Sequence, residues 1–126
     1  MAELLQSLAH AASGMEAQSR RIRHVTENIA NADTPGYRRK TVEFRADPDG
    51  AGVRLGALRL DPRPLPMIYD PAHPLADETG HHQGSNVDMV LEIADAREAQ
   101  RSYEANLRMF DQARQMTASL LELLRR

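Results

Sequence analysis

The sequence contains no cysteine and no tryptophan, and aromatic residues make up only 4% of its 126 residues. Without cysteine the chain has no disulfide framework, no thiolate nucleophile and no thiolate ligand for zinc. It also lacks a basic surplus, because 16 lysines and arginines stand against 18 acidic residues and the net charge is −2. A dedicated nucleic-acid-binding protein carries such a surplus, so the composition argues against nucleic acid as a partner.

The N-terminal segment lacks the features of a cleaved secretory signal. Its first charged residue is Glu3, its first arginine is Arg20, and His10, Ser13 and Gly14 interrupt the apolar residues between them. A signal peptide needs basic residues ahead of an apolar run. No stretch of the sequence approaches the roughly 18 apolar residues of a membrane span. We therefore expect neither a cleaved signal nor a membrane-spanning helix.

Residues 1–33 are predicted to form one helix. Apolar residues recur there at alternating spacings of three and four, the pattern of a coiled-coil seam. The seam runs through positions 1, 4, 8, 11, 15, 18, 22, 25, 29 and 32, and Gln18 is the residue that breaks its apolar character. Pro35 disfavours helix at the preceding residue and Gly36 can adopt a positive φ, so the helix should end near residues 33–36.

The C-terminal third is predicted to form a second helix, over residues 86–126. Ser85 or Asn86 can cap it, since residues 85–88 have the spacing of a capping box with Asp88 in place of the usual glutamate. Arg125 and Arg126 suit the negative end of the helix dipole. The apolar stripe consists of Ile93, Ala96, Ala99, Tyr103, Leu107, Phe110, Ala113, Thr117, Leu120 and Leu124. It broadens beyond residue 106, where one partner helix could not cover it.

Residues 34–85 show a different pattern. Val42 and Phe44 alternate with polar residues, residues 47–52 carry a strong turn signal, and apolar residues resume at Val53, which together predict a β-hairpin. A change of phase at residues 56–57 predicts a bulge in its second strand. Five of the seven prolines fall in residues 61–84, which predicts an extended connector rather than a core element. A connector of that length in a compact domain usually binds something.

No constellation of residues indicates catalysis or metal binding. His81 and His82 are adjacent and His73 precedes them, but neighbouring histidines in a Pro/Gly-rich segment point in different directions, and no HExxH-type spacing occurs. We interpret these histidines as part of a solvated connector, and His10 and His24 as surface residues. Neither a nucleophile elbow nor a phosphate-binding glycine loop is present. The sequence therefore predicts no catalytic residue, metal site, cofactor or small-molecule substrate. An enzyme would need an activity that depends on His81 and His82.

Cations form two groups around the end of the first helix. The first comprises Arg20, Arg21 and Arg23, and the second comprises Arg38, Arg39 and Lys40. We interpret them as a solvated face or as partners in salt bridges to the acidic side of a neighbouring helix.

The most specific segment lies at the end of the first helix. Residues 28–38 read Asn-Ile-Ala-Asn-Ala-Asp-Thr-Pro-Gly-Tyr-Arg. Asn28 and Asn31 can satisfy the last helical carbonyls or reach a neighbouring backbone segment, and Tyr37 can pack while its hydroxyl forms a hydrogen bond. An ordinary helix C-cap is the simpler alternative on physical grounds alone.

Residues 28–38 closely resemble the signature of the bacterial flagellar basal-body rod and hook protein family. A second stretch, residues 85–88 with Glu92 and residues 101–107, resembles the C-terminal motif of that family, and residues 69–77 resemble its proximal rod members. The resemblance is weakest over residues 46–66 and 80–84. It implies a mainly α-helical fold in which long terminal helices, residues 1–33 and 86–126, pair as a coiled coil. Residues 34–85 then supply a signature turn, a small β-hairpin and a Pro-rich connector.

The resemblance also implies a structural role without catalysis, as a subunit of the proximal rod, the axial shaft that transmits torque from the motor to the hook. The implied partners are further copies of the chain and other rod proteins in a helical assembly, a membrane-ring adaptor and the flagellar export apparatus. The implied location is the periplasmic rod of the basal body, reached without a cleaved signal peptide. The main alternative is a cytosolic coiled-coil adaptor or secretion chaperone that holds client helices on the same apolar stripes.

Subunit contacts are predicted along both apolar stripes and at the signature. The predicted interface residues are Leu8, Met15, Ile22, Val25 and Ile29 on the first helix, and Ile93, Tyr103, Leu107, Phe110, Leu120 and Leu124 on the second. The polar residues Asn28, Asn31, Tyr37 and Asn106 are predicted to fix the geometry where the first helix turns into the β region.

Overall fold

In the computed structural model of the protein, which describes residues 2–50 and 52–125, two long helices flank a set of short strands. Helix α1 spans Ala2–Ala30 and helix α2 spans Met89–Leu124. Between them lie β1 (Lys40–Thr41), β2 (Phe44–Ala46), β3 (Val53–Leu55), β4 (Arg59–Leu60), β5 (Met67–Tyr69) and β6 (His81–Gln83). The prediction of a mainly α fold with a small β-hairpin is therefore confirmed. Three residues with a predicted place lie outside the described residues, namely Met1 in the seam, Ala51 in the hairpin turn and Arg126 at the helix end.

The two helices pack side by side and run antiparallel. Gly14 of α1 faces Asn106 of α2, and Asn28 near the end of α1 contacts Glu92 near the start of α2. Small side chains line the seam, because the buried apolar residues of the described chain are Ala11, Ala17, Val25, Ala99 and Ala113. Neither helix is long and apolar enough, within the described residues, to cross a membrane.

Helix α1 ends at Ala30, a few residues before the predicted position. The amide of Ala32 donates to the carbonyl of Ile29 at 3.3 Å, so the chain leaves the α-helical pattern in a tighter turn. The side chain of Asn31 donates to the carbonyl of Glu27 at 2.8 Å, a local bond that competes with continued helix. Gly36 has a φ of 75°, the left-handed conformation that the sequence predicted for it.

Helix α2 begins at Met89, and its N-cap is Asp88, whose carboxylate accepts a hydrogen bond from the amide of Val90 at 3.0 Å. The predicted capping by Ser85 or Asn86 is wrong, because tertiary contacts engage both residues. The Ser85 hydroxyl donates to a carbonyl at the end of α1, and the Asn86 side-chain oxygen accepts from the amide of Arg39 at 2.7 Å. The helix therefore starts three residues later than position 86.

Four of the strands form one interrupted hairpin. Strand β2 pairs with β3, with Phe44 opposite Leu55, and β1 pairs with β4 nearer the helices. Between the two ladders the returning strand has one more residue than the outgoing strand, which is the predicted bulge. The amide of Gly56 donates to the carbonyl of Glu43 at 2.7 Å across this break.

The tip of the hairpin rests on α1. The amide of Val53 donates to the Ser13 hydroxyl at 3.1 Å, and Nε2 of His10 lies 2.8 Å from the carbonyl oxygen of Gly50. Gly52 has a φ of 100°, and a Cβ there would lie 2.2 Å from the Ser13 Oγ. Both the backbone conformation and the close approach therefore require glycine at position 52.

The connector contains a third strand pair that the sequence analysis did not predict. Strands β5 and β6 are antiparallel, with Ile68 opposite His82. The prolines of residues 61–84 flank these strands, with Pro66 before β5 and Pro71 after it, so they remove no hydrogen bond within the strands. The predicted extended connector therefore contains regular structure where these two strands pair.

Candidate assembly interface

A buried junction joins the end of α1, strand β1 and the start of α2. Its centre is Asn28, which is only 1% exposed. The Oδ1 atom of Asn28 accepts from the Lys40 amide and from the Tyr37 hydroxyl, each at 2.9 Å. Its Nδ2 donates to the Lys40 carbonyl at 3.0 Å and to the Glu92 carboxylate at 3.3 Å. Asn28 therefore bonds three segments of the chain, which is more than a helix C-cap does.

Asn31 acts more locally, in the turn that leaves α1. Besides its bond to the Glu27 carbonyl, its Oδ1 accepts from the Thr34 hydroxyl at 3.1 Å. The amide of Gly36 then donates to the carbonyl of Gly84 at 3.2 Å, which fixes this turn against the end of the connector. Asn28, Asn31 and Tyr37 thus all lie where α1 passes into the β region.

A buried carboxylate lies next to Asn28. Glu92 is 0% exposed, and its Oε1 contacts the Nε of Arg39, whose Nη2 also donates to Asp95 at 2.8 Å. A buried charge is tolerated only when it is paired and hydrogen-bonded, and Arg39 and Asn28 together satisfy Glu92. Arg39 therefore forms a salt bridge to an acidic helix face, the second of the two interpretations of the cation groups. The same holds for Arg21, whose Nη2 lies 3.4 Å from Asp95.

Asp61 holds the start of the connector against the same junction. Its carboxylate accepts from the amide and the Nε of Arg63, both at 2.9 Å, and its carbonyl accepts from Arg38 and Asn86, both at 3.1 Å. The hydrogen bond from the Arg63 side chain is the main cause that lowers the pKa of Asp61. The sequence analysis did not identify the Asp61 carboxylate as part of a site. The local signal for it is Arg63, an arginine two residues after the aspartate.

A second ion pair lies at the edge of the junction. The Nζ of Lys40 lies 2.5 Å from the Oε2 of Glu27. This hydrogen bond is the main cause that lowers the pKa of Glu27 and raises the pKa of Lys40. Burial raises the pKa of Tyr37, so its hydroxyl remains a donor to Asn28 at neutral pH.

Asn106 does not lie at the junction, contrary to the prediction. It sits in the middle of the helix pair, where its Nδ2 donates to the carbonyl of Ser102 at 2.9 Å and its side chain faces Gly14. A Cβ at position 14 would lie 2.6 Å from the Oδ1 of Asn106. Asn106 therefore sets the close approach of the two helices instead of the turn geometry.

The predicted apolar contact residues fall into two groups by exposure. Val25 is buried, and the half-buried members are Leu8, Met15, Ile22, Ile29, Tyr103 and Phe110. The exposed members are Ile93, Leu107, Leu120 and Leu124, all on α2. The face that α2 turns towards α1 has Glu92, Ala99 and Ala113 as its buried residues, so the exposed group lies at its edge or beyond the end of α1.

A further apolar stripe runs along α2 beside the face that contacts α1. Met109, Met116 and Leu123 are exposed and follow one another at intervals of seven residues. A seven-residue repeat keeps side chains on one face of a helix, so the stripe runs along α2. Leu107 is 40% exposed on the other side of the face that contacts α1. Large exposed apolar side chains aligned on one helix face mark an interaction surface.

The connector histidines are not simply solvated, which corrects the interpretation made from the sequence. His82 is buried and its ring stacks on that of His73, with centroids 3.9 Å apart, whereas His81 lies beside Tyr69. His24 is half-buried rather than fully on the surface. Among residues 2–50 and 52–125 no group of three or more His, Cys, Asp or Glu residues is placed to hold a metal ion.

Two family models match the segments that build this arrangement. Residues 8–38, with the α1 seam and Asn28, match the model described as flagella basal body rod protein. Residues 78–123, with β6 and most of α2, match the model described as flagellar basal body rod FlgEFG protein C-terminal. The class defined by the helix pair and its junction is thus that of the flagellar basal-body rod proteins.

Full-length relatives agree with these models. The chain is 45% identical to the flagellar basal-body rod protein FlgC of Agrobacterium fabrum over 126 residues, which cover 91% of each chain. It is 35% identical to FlgC of Salmonella typhimurium, over 95% of this chain and 97% of the relative, and 33% identical to FlgC of Borreliella burgdorferi, over 96% and 97%. The chain belongs to the flagellar basal-body rod protein family, and it is a structural subunit of the rod in the flagellar basal body. The resemblance stated from the sequence is confirmed.

Proposed function

We propose that this rod subunit assembles through apolar faces of its helix pair that the single chain leaves uncovered. The observation that carries the proposal is the contrast between a core of small residues and the large apolar side chains outside it. Leu107, Met109 and Met116 are exposed, as is the α2 end, where Leu124 is 75% exposed. Removing apolar surface from water contributes about 25 cal/mol per Å². Assembly gains this free energy, and the isolated chain does not.

The proposed contacts follow from the same exposures. Ile93, Leu107, Leu120 and Leu124 contact neighbouring subunits directly, and Leu8, Met15, Ile22 and Ile29 do so at the edges of α1. Val25, Tyr103, Phe110 and Asn106 support the contact from within the helix pair. Asn28, Asn31 and Tyr37 fix the direction in which the β region leaves that pair.

The terminal helices, residues 1–33 and 86–126, pair with each other as a coiled coil in this proposal and form the assembling domain. Residues 34–85 project from it as turn, hairpin and connector. Self-complementary patches arranged head to tail generate helical rods rather than closed rings. A close-packed interior transmits strain with little compression, which suits a proximal rod that carries torque from motor to hook.

The proposed partners are other copies of the chain, other rod proteins, a membrane-ring adaptor and the flagellar export apparatus. The proposed location within the basal body is the periplasmic rod, reached without a cleaved signal peptide. The role is structural and involves no catalysis, cofactor or small-molecule substrate. What distinguishes it from the cytosolic adaptor or chaperone alternative is that the chain must be retained in purified basal bodies.

Single charges on the uncovered faces test the proposal. We expect Leu107→Asp, and Ile22→Asp on the other helix, to abolish rod assembly and swimming, because a carboxylate cannot be buried unpaired in an apolar contact. Gln115→Asp is the matched control, since it places the same charge on an exposed position of the same helix. The measurements are swimming motility and mass spectrometry of purified hook–basal bodies against the cytosolic fraction.

Cells that swim normally with either variant would contradict the interface. Absence of the unmodified chain from basal bodies, with a cytosolic pool, would favour the adaptor alternative instead. Loss of motility with Gln115→Asp as well would show that the charge acts generally and not at the proposed face.

A further inference from the structure

Helix α2 carries two apolar stripes that lie on either side of the face in contact with α1. The methionine stripe consists of Met109, Met116 and Leu123, and the leucine stripe consists of Leu107, Phe110, Leu121 and Leu124. Because each residue turns an α-helix by about 100°, Leu107 and Met109 point about 160° apart around the axis. The two stripes therefore cannot pack against one and the same neighbouring helix.

Both stripes are uncovered in the single chain. Met109, Met116 and Leu123 are 63%, 51% and 64% exposed, and Leu107 and Leu121 are 40% and 48% exposed. A two-fold symmetric dimer brings one patch of a copy against the same patch of its partner, and the other patch then stays exposed. A head-to-tail contact joins two different patches, so every copy within a row uses both of its stripes.

Charges of opposite sign accompany the two stripes on the surface away from α1. Arg101 and Arg108 are seven residues apart and run along the outer border of the methionine stripe. Glu104 is three residues before Leu107 and Asp111 is four residues after it, which places both carboxylates next to that side chain on the helix surface. The methionine stripe thus has a basic border and the leucine stripe has an acidic border.

The basic border has no acidic partner within the described chain. Among residues 2–50 and 52–125, no carboxylate oxygen lies within 4.0 Å of a guanidinium nitrogen of Arg101 or Arg108. Both arginines are exposed, as is Glu104. Asp111 lies 3.9 Å from Arg114, but both of these side chains are more than half exposed. An exposed pair of this kind contributes little, so Asp111 remains accessible to a cation of another chain.

We propose that the methionine stripe of one copy packs against the leucine stripe of a second copy that runs in the same direction. This inference rests on the proposed function and specifies which faces of neighbouring subunits meet. In this arrangement Arg101 and Arg108 of one copy face the acidic border of the next. Contact between two like stripes would instead bring two basic borders or two acidic borders together, and like charges across an interface oppose association.

The spacing of the charges fits one relative position of the two copies. Three pairs of opposite charge are separated by three residues, namely Arg101 with Glu104, Arg108 with Asp111, and Glu122 with Arg125. In each pair the first residue borders the methionine stripe and the second borders the leucine stripe. Three residues correspond to about 4.5 Å along an α-helix, a distance that long side chains of neighbouring copies can span. One position of parallel copies therefore brings all three pairs together.

Disulfide formation in purified hook–basal bodies tests the contact, because the sequence has no cysteine of its own. Each cell expresses two versions of the chain, Met109→Cys together with Leu107→Cys, Phe110→Cys or Arg114→Cys, which sample the leucine stripe over about two turns. We expect a mixed disulfide-linked dimer with at least one of these three combinations. Each version expressed alone should give no dimer, because a disulfide needs Cβ atoms about 4 Å apart and like positions lie a helix diameter apart.

Two results would overturn the inference and leave the proposed function intact. The first is the absence of any mixed dimer from basal bodies that contain both versions and come from swimming cells. The second is a dimer formed by a single version, since it would show that like stripes meet. Absence of the chain from basal bodies would refute the proposed function itself, and this contact with it.

A charge exchange tests the borders independently of the cysteines. Arg108→Glu should impair swimming, because it faces Asp111 of the next copy, and Asp111→Arg in the same chain should restore swimming. Gln115→Glu is the matched control, since it adds a negative charge seven residues along the same border, opposite the uncharged Ala118. Circular dichroism of the purified chains should show the same helix content for all variants, which distinguishes a contact between copies from a pair within one helix. Swimming that Arg108→Glu leaves unchanged, or that Asp111→Arg does not restore, would contradict the inference.

Discussion

Replacing Asn28 should destabilise the chain more than its size suggests. Asn28→Ala removes four hydrogen bonds at once, to the amide and carbonyl of Lys40, to Tyr37 and to Glu92. A buried group that loses its partner costs about 1–3 kcal/mol. The half-buried Tyr37 can regain a bond from water, whereas the Glu92 carboxylate has no such access. We therefore expect a loss of about 3–5 kcal/mol in the free energy of unfolding, which is a large share of the roughly 5–15 kcal/mol of a typical domain.

Asn28→Asp separates hydrogen bonding from packing. It keeps the shape of the side chain and the two acceptor bonds of Oδ1. However, it replaces the Nδ2 donor, which lies 3.3 Å from the Glu92 carboxylate, by an oxygen that cannot donate. We expect it to be at least as damaging as Asn28→Ala. Asn31→Ala is the control, since the hydrogen bonds of the Asn31 side chain to the described residues lie within its own turn. This substitution should cost about 1 kcal/mol.

Urea unfolding of the purified chains, followed by far-UV circular dichroism, measures these differences. The reasoning fails if Asn28→Asp unfolds at the wild-type urea concentration. It also fails if Asn28→Ala and Asn31→Ala unfold together, because the junction would then contribute no more than a helix end.

Two further predictions concern the seam and the carboxylates of the junction. Gly14→Ala should destabilise the helix pair by about 1–3 kcal/mol, because the added methyl group overlaps Asn106. Adding Asn106→Ala should recover most of this loss in the same urea assay. Additive losses in the double variant would argue against the contact. Glu27 and Asp61 have folded-state pKa values below the ordinary 4.5 and 3.8, so the stability that their ion pairs contribute is present above those values and is lost as the pH falls below them. The urea concentration at the midpoint of unfolding should therefore fall when the pH is lowered below about 4. Glu27→Gln should make that fall shallower, and an unchanged dependence of the midpoint on pH would contradict the prediction.

The elements that follow a strict periodicity could be predicted from the sequence. Both helices, the hairpin and its bulge appear where spacings of three to four, alternation and a phase change place them. These patterns are local and report which face of an element is apolar. The start of α2 was misplaced because Ser85 and Asn86 are engaged by tertiary contacts that depend on the folded neighbourhood. The end of α1 was misplaced because the local bond from Asn31 to the Glu27 carbonyl competes with continued helix.

Only one side of the junction around Asn28 could be predicted from the sequence. The Asn28 signature stands out in the sequence, but its partners do not, because Glu92 and Asp61 are single carboxylates on elements that resemble exposed ones. Nothing in residues 61–84 separates strands β5 and β6 from irregular chain, since five prolines dominate the composition there. The stacking of His82 in β6 on His73 is likewise a contact that no local pattern contains.

The seam of small residues also has a thermodynamic consequence. A chain that buries mainly alanines between its helices exposes less apolar surface on unfolding than its length would suggest, and the heat-capacity change of unfolding scales with that surface. A small heat-capacity change flattens the dependence of stability on temperature. The free energy of unfolding of the subunit should therefore change little with temperature, and the helix pair should stay nearly equally stable over a wide range of temperature.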